Sequence, residues 1–183
     1  MKTEKVKDRI LRAASDLFYK QGFNSTGINQ IIAEADIAIG SLYNHFSSKN
    51  ELLKAYLIKE ELEWFKGFEE QSAQLLSPKD KLAALVKYRK KLQDSTNFAG
   101  CHFIKIISEV GDSNPEVSDF VKKHKQKQKD LIKEFVAQIQ SADVEEMTET
   151  IFLLLEGALV ISTVDKNTKG FDQAKKIIQG LLS

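Results

Sequence analysis

Residues 27–46, GINQIIAEADIAIGSLYNHF, hold the polar groups of this chain whose spacing suits one shared task. Ser41, Tyr43, Asn44 and His45 crowd together around Leu42 and Phe46. On a helix that turns Leu42 and Phe46 inward, the four polar side chains face outward. Hydroxyls, an amide and an imidazole displayed in this way exchange hydrogen bonds with base edges and phosphate oxygens of a nucleic acid. Catalytic patterns are missing: there is no Glu-x-x-His or His-Glu-x-x-His string and no glycine-rich phosphate loop. The 3 histidines and 1 cysteine are too few and too scattered for most metal sites. We therefore expect no enzyme, no cofactor and no metal. A helical-bundle enzyme is the competing class, and a search for bound metal separates the two.

Two short helices must position these groups. Ile28, Ile31, Ile32 and Ala35 recur at helical spacing, a break follows at Asp36-Ile37, and a second helix carries Leu42 and Phe46. That is a helix-turn-helix, whose second helix enters the DNA major groove. Thr26 is placed to cap the first of the pair, its hydroxyl toward a phosphate. Upstream, Thr3 can cap a helix with an inward stripe of Val6, Ile10, Ala13, Ala14, Leu17 and Phe18; Gly22 ends it and Phe23 packs back. The formal net charge of the chain is only +1, so DNA binding has to rest on local geometry rather than bulk charge.

The run RILRAASDLFYKQGFNSTGINQIIAEADIAIGSLYNHFSSKNELL resembles the DNA-binding domain of the TetR (tetracycline-repressor) family of transcriptional regulators. Its most specific part is the string from Gly40 through Leu42, Tyr43, His45 and Phe46 to Lys49. The resemblance implies phosphate contacts by Tyr43 and Lys49, a further backbone contact by His45, and base-edge contacts by Ile39, Gly40 and Ser41. The chain departs from the family at Asp36, which stands at a turn position that is usually glycine. Ala38 and Ile39 replace hydroxyl or long polar side chains. Fewer donors on the recognition helix shift sequence preference toward DNA shape.

The rest of the chain reads as helix, giving an all-α fold: an N-terminal three-helix helix-turn-helix domain, residues 1–48, and a C-terminal helical bundle for ligand binding and dimerisation, residues 49–183. Helix starts are marked by the Ser48 to Glu51 capping box, Ser77-Pro78, Asn114-Pro115 and Asp143. The family resemblance implies a ligand pocket among the middle helices. Its expected lining is Trp64, Phe68, Tyr88, Phe98, His102, Phe103, Ile106, Phe120, His124 and Phe152, with Glu109 and Glu156 as polar anchors. Such a set suits an apolar, aromatic or mildly cationic small molecule. Lysines 122–129 form the most basic run and read as a solvated face.

The segment IFLLLEGALVI is apolar on nearly every side and so needs burial all round. With the final helix it predicts a symmetric four-helix interface between two copies, through Phe152, Leu155, Leu159, Phe171, Ile178 and Leu181. The resemblance implies the same homodimer, set on a roughly palindromic double-stranded DNA operator. The lone Cys101 and the N-terminus without an apolar core fit a cytoplasmic protein. The apolar run 151–164, broken by Glu156, is read as too short to cross a membrane.

Overall fold

The computed structural model describes residues 4–139 and 143–182. Among them are nine helices and no strand: α1 (Val6–Gln21), α2 (Ile28–Ala35), α3 (Ile39–His45), α4 (Lys49–Ser72), α5 (Pro78–Ser95), α6 (His102–Val110), α7 (Pro115–Ala137), α8 (Val144–Asp165) and α9 (Lys169–Leu181). Four of the expected starts take their form from side-chain caps, which satisfy first-turn N–H groups that have no partner within a helix. Ser48 Oγ accepts from the Glu51 amide at 3.1 Å, and Asn114 Oδ1 accepts from Val117 at 3.2 Å. Ser77 Oγ accepts from Asp80 at 3.5 Å, with Pro78 at the first helical position, and Asp143 Oδ1 accepts from Glu146 at 3.0 Å. Thr3, the expected cap of α1, lies outside the described residues.

The chain forms two compact units: Met1–Glu63 with His102–Val121, and Trp64–Cys101 with Lys122–Ser183. Their limits fall inside α4 and α7 rather than at the cut expected after residue 48. In the first unit, Ile10, Phe18, Ile31, Leu42, Leu52 and Tyr56 are fully buried. Phe18 centres this core, its ring 5.2 Å from Phe23 and 5.6 Å from Tyr56. Phe103, Ile106 and Val110 of α6 and Val117 and Val121 of α7 are buried in the same unit. Sequence order separates α6 from the N-terminal helices, but its buried face assigns it to them.

In the second unit, α5, α8 and α9 pack on one another around Leu82, Leu85, Ile151, Leu155, Phe171, Ala174 and Ile178, with Ile132, Phe135 and Val136 of α7 in the same core. One face of α8, with Ile151, Phe152, Leu155, Ala158 and Leu159, is spent inside the protomer. Most of the residues expected at a dimer interface are buried within the protomer. Phe152, Leu155, Leu159, Phe171 and Ile178 are all core residues, and only Leu181, 42% exposed, stays outside. A helix apolar all round does not reveal which of its faces serves its own fold. The face left open carries Leu153, Val160, Ile161 and Val164, with Ile177 and Leu181 exposed on α9.

The length expectation for this segment also changes. At 22 residues, α8 is long and apolar enough to cross a membrane. Its midpoint carboxylate, Glu156, is instead tied to Arg89 and Lys125, and its inner face makes the core. This is the pattern of a core helix.

Candidate functional site

The turn between α2 and α3 is held from outside, by a residue of α1. Asp36 adopts the left-handed conformation, φ 49° and ψ 61°, which a non-glycine residue enters only at some cost. Arg9 of α1 offsets that cost. Its Nη2 donates to the Ala35 carbonyl at 2.6 Å and to the Asp36 carbonyl, and lies 3.3 Å from the Asp36 carboxylate. A guanidinium thus caps the carbonyl end of α2, where a positive charge is favoured. The turn keeps its shape without glycine.

This turn aims α3. Leu42 and Phe46 are buried beneath it, so Ile39, Gly40, Tyr43 and His45 are exposed and Ser41 is half-buried. Ile39 is 56% and Tyr43 50% exposed, large values for an apolar and an aromatic side chain that contribute to no core. A Cβ built on Gly40 meets nothing within 4 Å. The start of α3 therefore offers a smooth, low outer surface next to a phenol and an imidazole, a form that allows a duplex backbone to come close.

Thr26 is placed differently from expectation. It does not cap α2, whose N-cap is Gly27. Its side chain is 1% exposed and its hydroxyl donates to the Gly22 carbonyl at 2.6 Å, while Gln21 donates to it at 3.2 Å. The hydroxyl closes the loop after α1. Lys49, at the first turn of α4, is half-buried with its ammonium 4.2 Å from the Phe23 ring centre. Burial lowers its pKa below the ordinary lysine value, against the opposing pull of Glu109.

Five of the residues expected to line a pocket lie in the first unit: His102, Phe103, Ile106, Glu109 and Phe120. There α6 is fastened to the N-terminal helices. Glu109 accepts from the Asn24 amide at 2.9 Å, and the Asn24 side chain donates to the Glu109 carbonyl at 3.2 Å. Lys105 donates to the Tyr19 carbonyl at 2.6 Å, and the His102 ring stacks on Tyr19 at 3.8 Å. His102 Nδ1 and the Tyr56 hydroxyl share a 2.6 Å hydrogen bond, with a Glu60 oxygen 3.3 Å from the same nitrogen. Burial, with Lys105 and Lys59 adding to it, pushes the His102 pKa down to about 4. The imidazole is then neutral at neutral pH and able to accept from the phenol. Burial also raises the Glu60 pKa, more than Lys59 lowers it. Phe103 and Phe120 lie ring to ring at 6.5 Å.

The other expected lining residues lie in the second unit. Trp64 is the hub of an aromatic group, with ring centres at 5.6 Å to Tyr88, 6.4 Å to Phe68 and 6.1 Å to His124. The Tyr88 hydroxyl donates to the Trp64 carbonyl at 2.8 Å. Phe152 is buried beneath the Lys129 ammonium, 5.1 Å away, and half-buried Phe98 has a left-handed backbone, φ 57°, in the loop after α5. Glu156 is not a vacant anchor. Its two oxygens accept from Arg89 at 2.6 Å and Lys125 at 2.8 Å. Burial raises its carboxyl pKa, but the two cations outweigh burial and hold it below the ordinary value. Both carboxylates expected to attract a cationic molecule are therefore already engaged. In sequence Arg89 falls at helical spacing with the apolar Leu82, Leu85, Val86 and Leu92, a pattern that turns it inward but leaves its partner unnamed.

Comparison with known proteins gives two family matches. The model for bacterial regulatory proteins of the tetR family matches residues 10–56, and that for the C-terminal domain of LmrA/YxaF-like transcriptional regulators matches residues 78–177. The regulator QacR of Staphylococcus aureus is 32% identical over 76 residues, 42% of this chain and 40% of QacR. LmrA of Bacillus subtilis is 42% identical over 60 residues, 33% of this chain and 32% of LmrA. The matched stretches thus span less than half the length of these curated relatives. Among solved structures, the TetR-family regulator SCO4454 of Streptomyces coelicolor is similar with a TM-score of 0.89 and 26% identity, covering 97% of this chain and 94% of that one. A TetR regulator of Legionella pneumophila shares the fold, with a TM-score of 0.82, 20% identity and full coverage of both chains.

Proposed function

Because the chain belongs to the TetR family of DNA-binding transcriptional regulators, we propose that it is a repressor that grips a palindromic operator as a homodimer and is released by a small molecule held in its C-terminal helical domain. The observation that carries this reading is the outer surface of α3. Ile39, Gly40, Ser41, Tyr43 and His45 have little part in the core, beside a turn that Arg9 clamps. Ile39 meets a thymine methyl, Ser41 hydrogen-bonds a base edge, and Gly40 lets the backbones approach. Tyr43 and His45 take phosphates, and Lys49 supplies a charge at a helix start that already favours an anion. Thr26 drops out of the contact set because its hydroxyl is buried and bonded.

The two copies meet through the open face of α8 and α9, with Leu153, Val160, Ile161 and Val164 replacing the buried residues first expected there. Joining two heads in this way sets two recognition helices on successive half-sites. Release from the operator requires a differential affinity of roughly 5 kcal/mol between the two states, so several contacts have to grip the effector. A regulator of this kind works where bacterial DNA lies, in the cytoplasm.

The test is titration of labelled DNA from upstream of the protein's own gene, with unrelated DNA as competitor, at several salt concentrations. Specific, salt-sensitive binding at two protomers per site is expected. Binding no tighter than to competitor, there and across genome-wide selected fragments, would sink the proposal.

A further inference from the structure

Inside the second unit the charges do not balance. Arg89 of α5, 5% exposed, and Lys125 of α7, 15% exposed, share a single carboxylate, Glu156 of α8. Two cations on one anion leave a positive charge in surroundings that penalise an unpaired one. Glu156 is the one acceptor that Arg89 has among the described residues, although a guanidinium presents five donors. Two of these three helices, α7 and α8, hold a second sign of incompleteness. Gln128 Oε1 on α7 and Thr148 Oγ1 on α8, in side chains 4% and 3% exposed, have no hydrogen-bond partner among the described residues. Buried polar groups left open in this way are uncommon and call for an explanation. Next to each cation in sequence stands a ring of the Trp64 group, Tyr88 before Arg89 and His124 before Lys125.

We propose that Arg89 and Lys125 form an anion-recognition site whose ligand is an aromatic organic acid. The acid's carboxylate or phenolate lies beside Glu156 and completes the charge balance, and its ring lies against the Trp64 group. This rests on the reading that the helical domain holds the effector, and it fixes the effector's charge as negative. Arginine suits the task because its planar fork matches a carboxylate and is weakly hydrated.

The protein has 1 tryptophan, so its emission reports on Trp64 alone. The full chain, free of DNA, is titrated with 2-naphthoate, 2-naphthamide and 2-naphthylmethylammonium, which share a ring system and differ in charge; fluorescence and calorimetry follow binding. Naphthoate is expected to bind at least tenfold more tightly than the amide, and the cation most weakly. Lys125→Met, which leaves a balanced Arg89–Glu156 pair, should erase the preference without lowering the melting temperature. Glu156→Gln, which removes a competing carboxylate, should enlarge it. Equal binding of acid and amide, tightest binding of the cation, no binding of naphthoate, or a preference that survives Lys125→Met would each overturn the assignment. No operator enters the measurement, so a chain that binds DNA yet shows no acid preference refutes this site alone, and one that binds naphthoate but no operator refutes only the repressor reading.

Discussion

A methyl group added at Gly40 meets open space, whereas one added at Gly22 comes within 2.7 Å of a Glu109 oxygen on a backbone with φ near 93°. The two glycines therefore answer to different demands. Gly40→Ala should keep or raise the stability, by about 1 kcal/mol at most for an alanine in a helix. If α3 faces DNA, the same change cuts operator affinity at least tenfold. Gly22→Ala should lower the melting temperature, since it strains both a left-handed backbone and the Glu109 contact. Calorimetry paired with DNA titration checks both, and equal operator affinity in Gly40→Ala would argue against close approach there. His102 makes a pH prediction. Its folded pKa of about 4 lies below the unfolded value of 6.5, so the unfolded chain binds the proton more readily. The stability this neutral imidazole gives is present above pH 6.5 and is lost as pH falls toward 4, by roughly 3 kcal/mol at most. Thermal melts across that window should show the loss in the wild type and a flatter profile in His102→Phe, which keeps the stack on Tyr19.

Among elements, α6 was the hardest to place from sequence. Its helical span, His102–Val110, follows from its apolar spacing and from Gly111 beyond its end. Its neighbours do not, because Glu109 reaches Asn24 across a sequence separation of 85, and such a contact leaves no local trace. The residues expected to line one pocket divided between units for that reason. Helices with side-chain caps were legible almost to the residue, since Ser48, Ser77, Asn114 and Asp143 act within one turn of themselves. The helix-turn-helix was legible too, but Arg9 as its clamp was not, because a spacing of 27 residues between donor and turn carries no periodicity. Arg9→Met leaves the carbonyl end of α2 uncapped and should cost about 1.5–3 kcal/mol, the range for a hydrogen bond to a charged group. Glu109→Ala should speed amide hydrogen exchange at Asn24, which loses its acceptor. An unchanged rate there would mean that this contact does not hold α6.

At the level of the whole molecule, the two sides of α8 differ: one lies in the protomer core and the other is exposed, the side proposed above for assembly. Leu159 is 9% exposed and Val164 is 73% exposed, although a linear reading gives both the same apolar character. Leu159→Ala should cost about 2–5 kcal/mol of stability, as buried leucine truncations do. Val164→Glu should leave the protomer folded and shift sedimentation from dimer to monomer. A dimer that persists in Val160→Glu/Val164→Glu would place the interface elsewhere. The outer surface of α3 has a similar independence, because Ile39 and Gly40 give nothing to the core that α3 covers with Leu42. After gene duplication, a descendant could change these positions without first acquiring compensating mutations in the fold. If α3 reads DNA as proposed, divergence of binding preference between sister copies is then open to single substitutions, and the inherited scaffold stays intact while they accumulate.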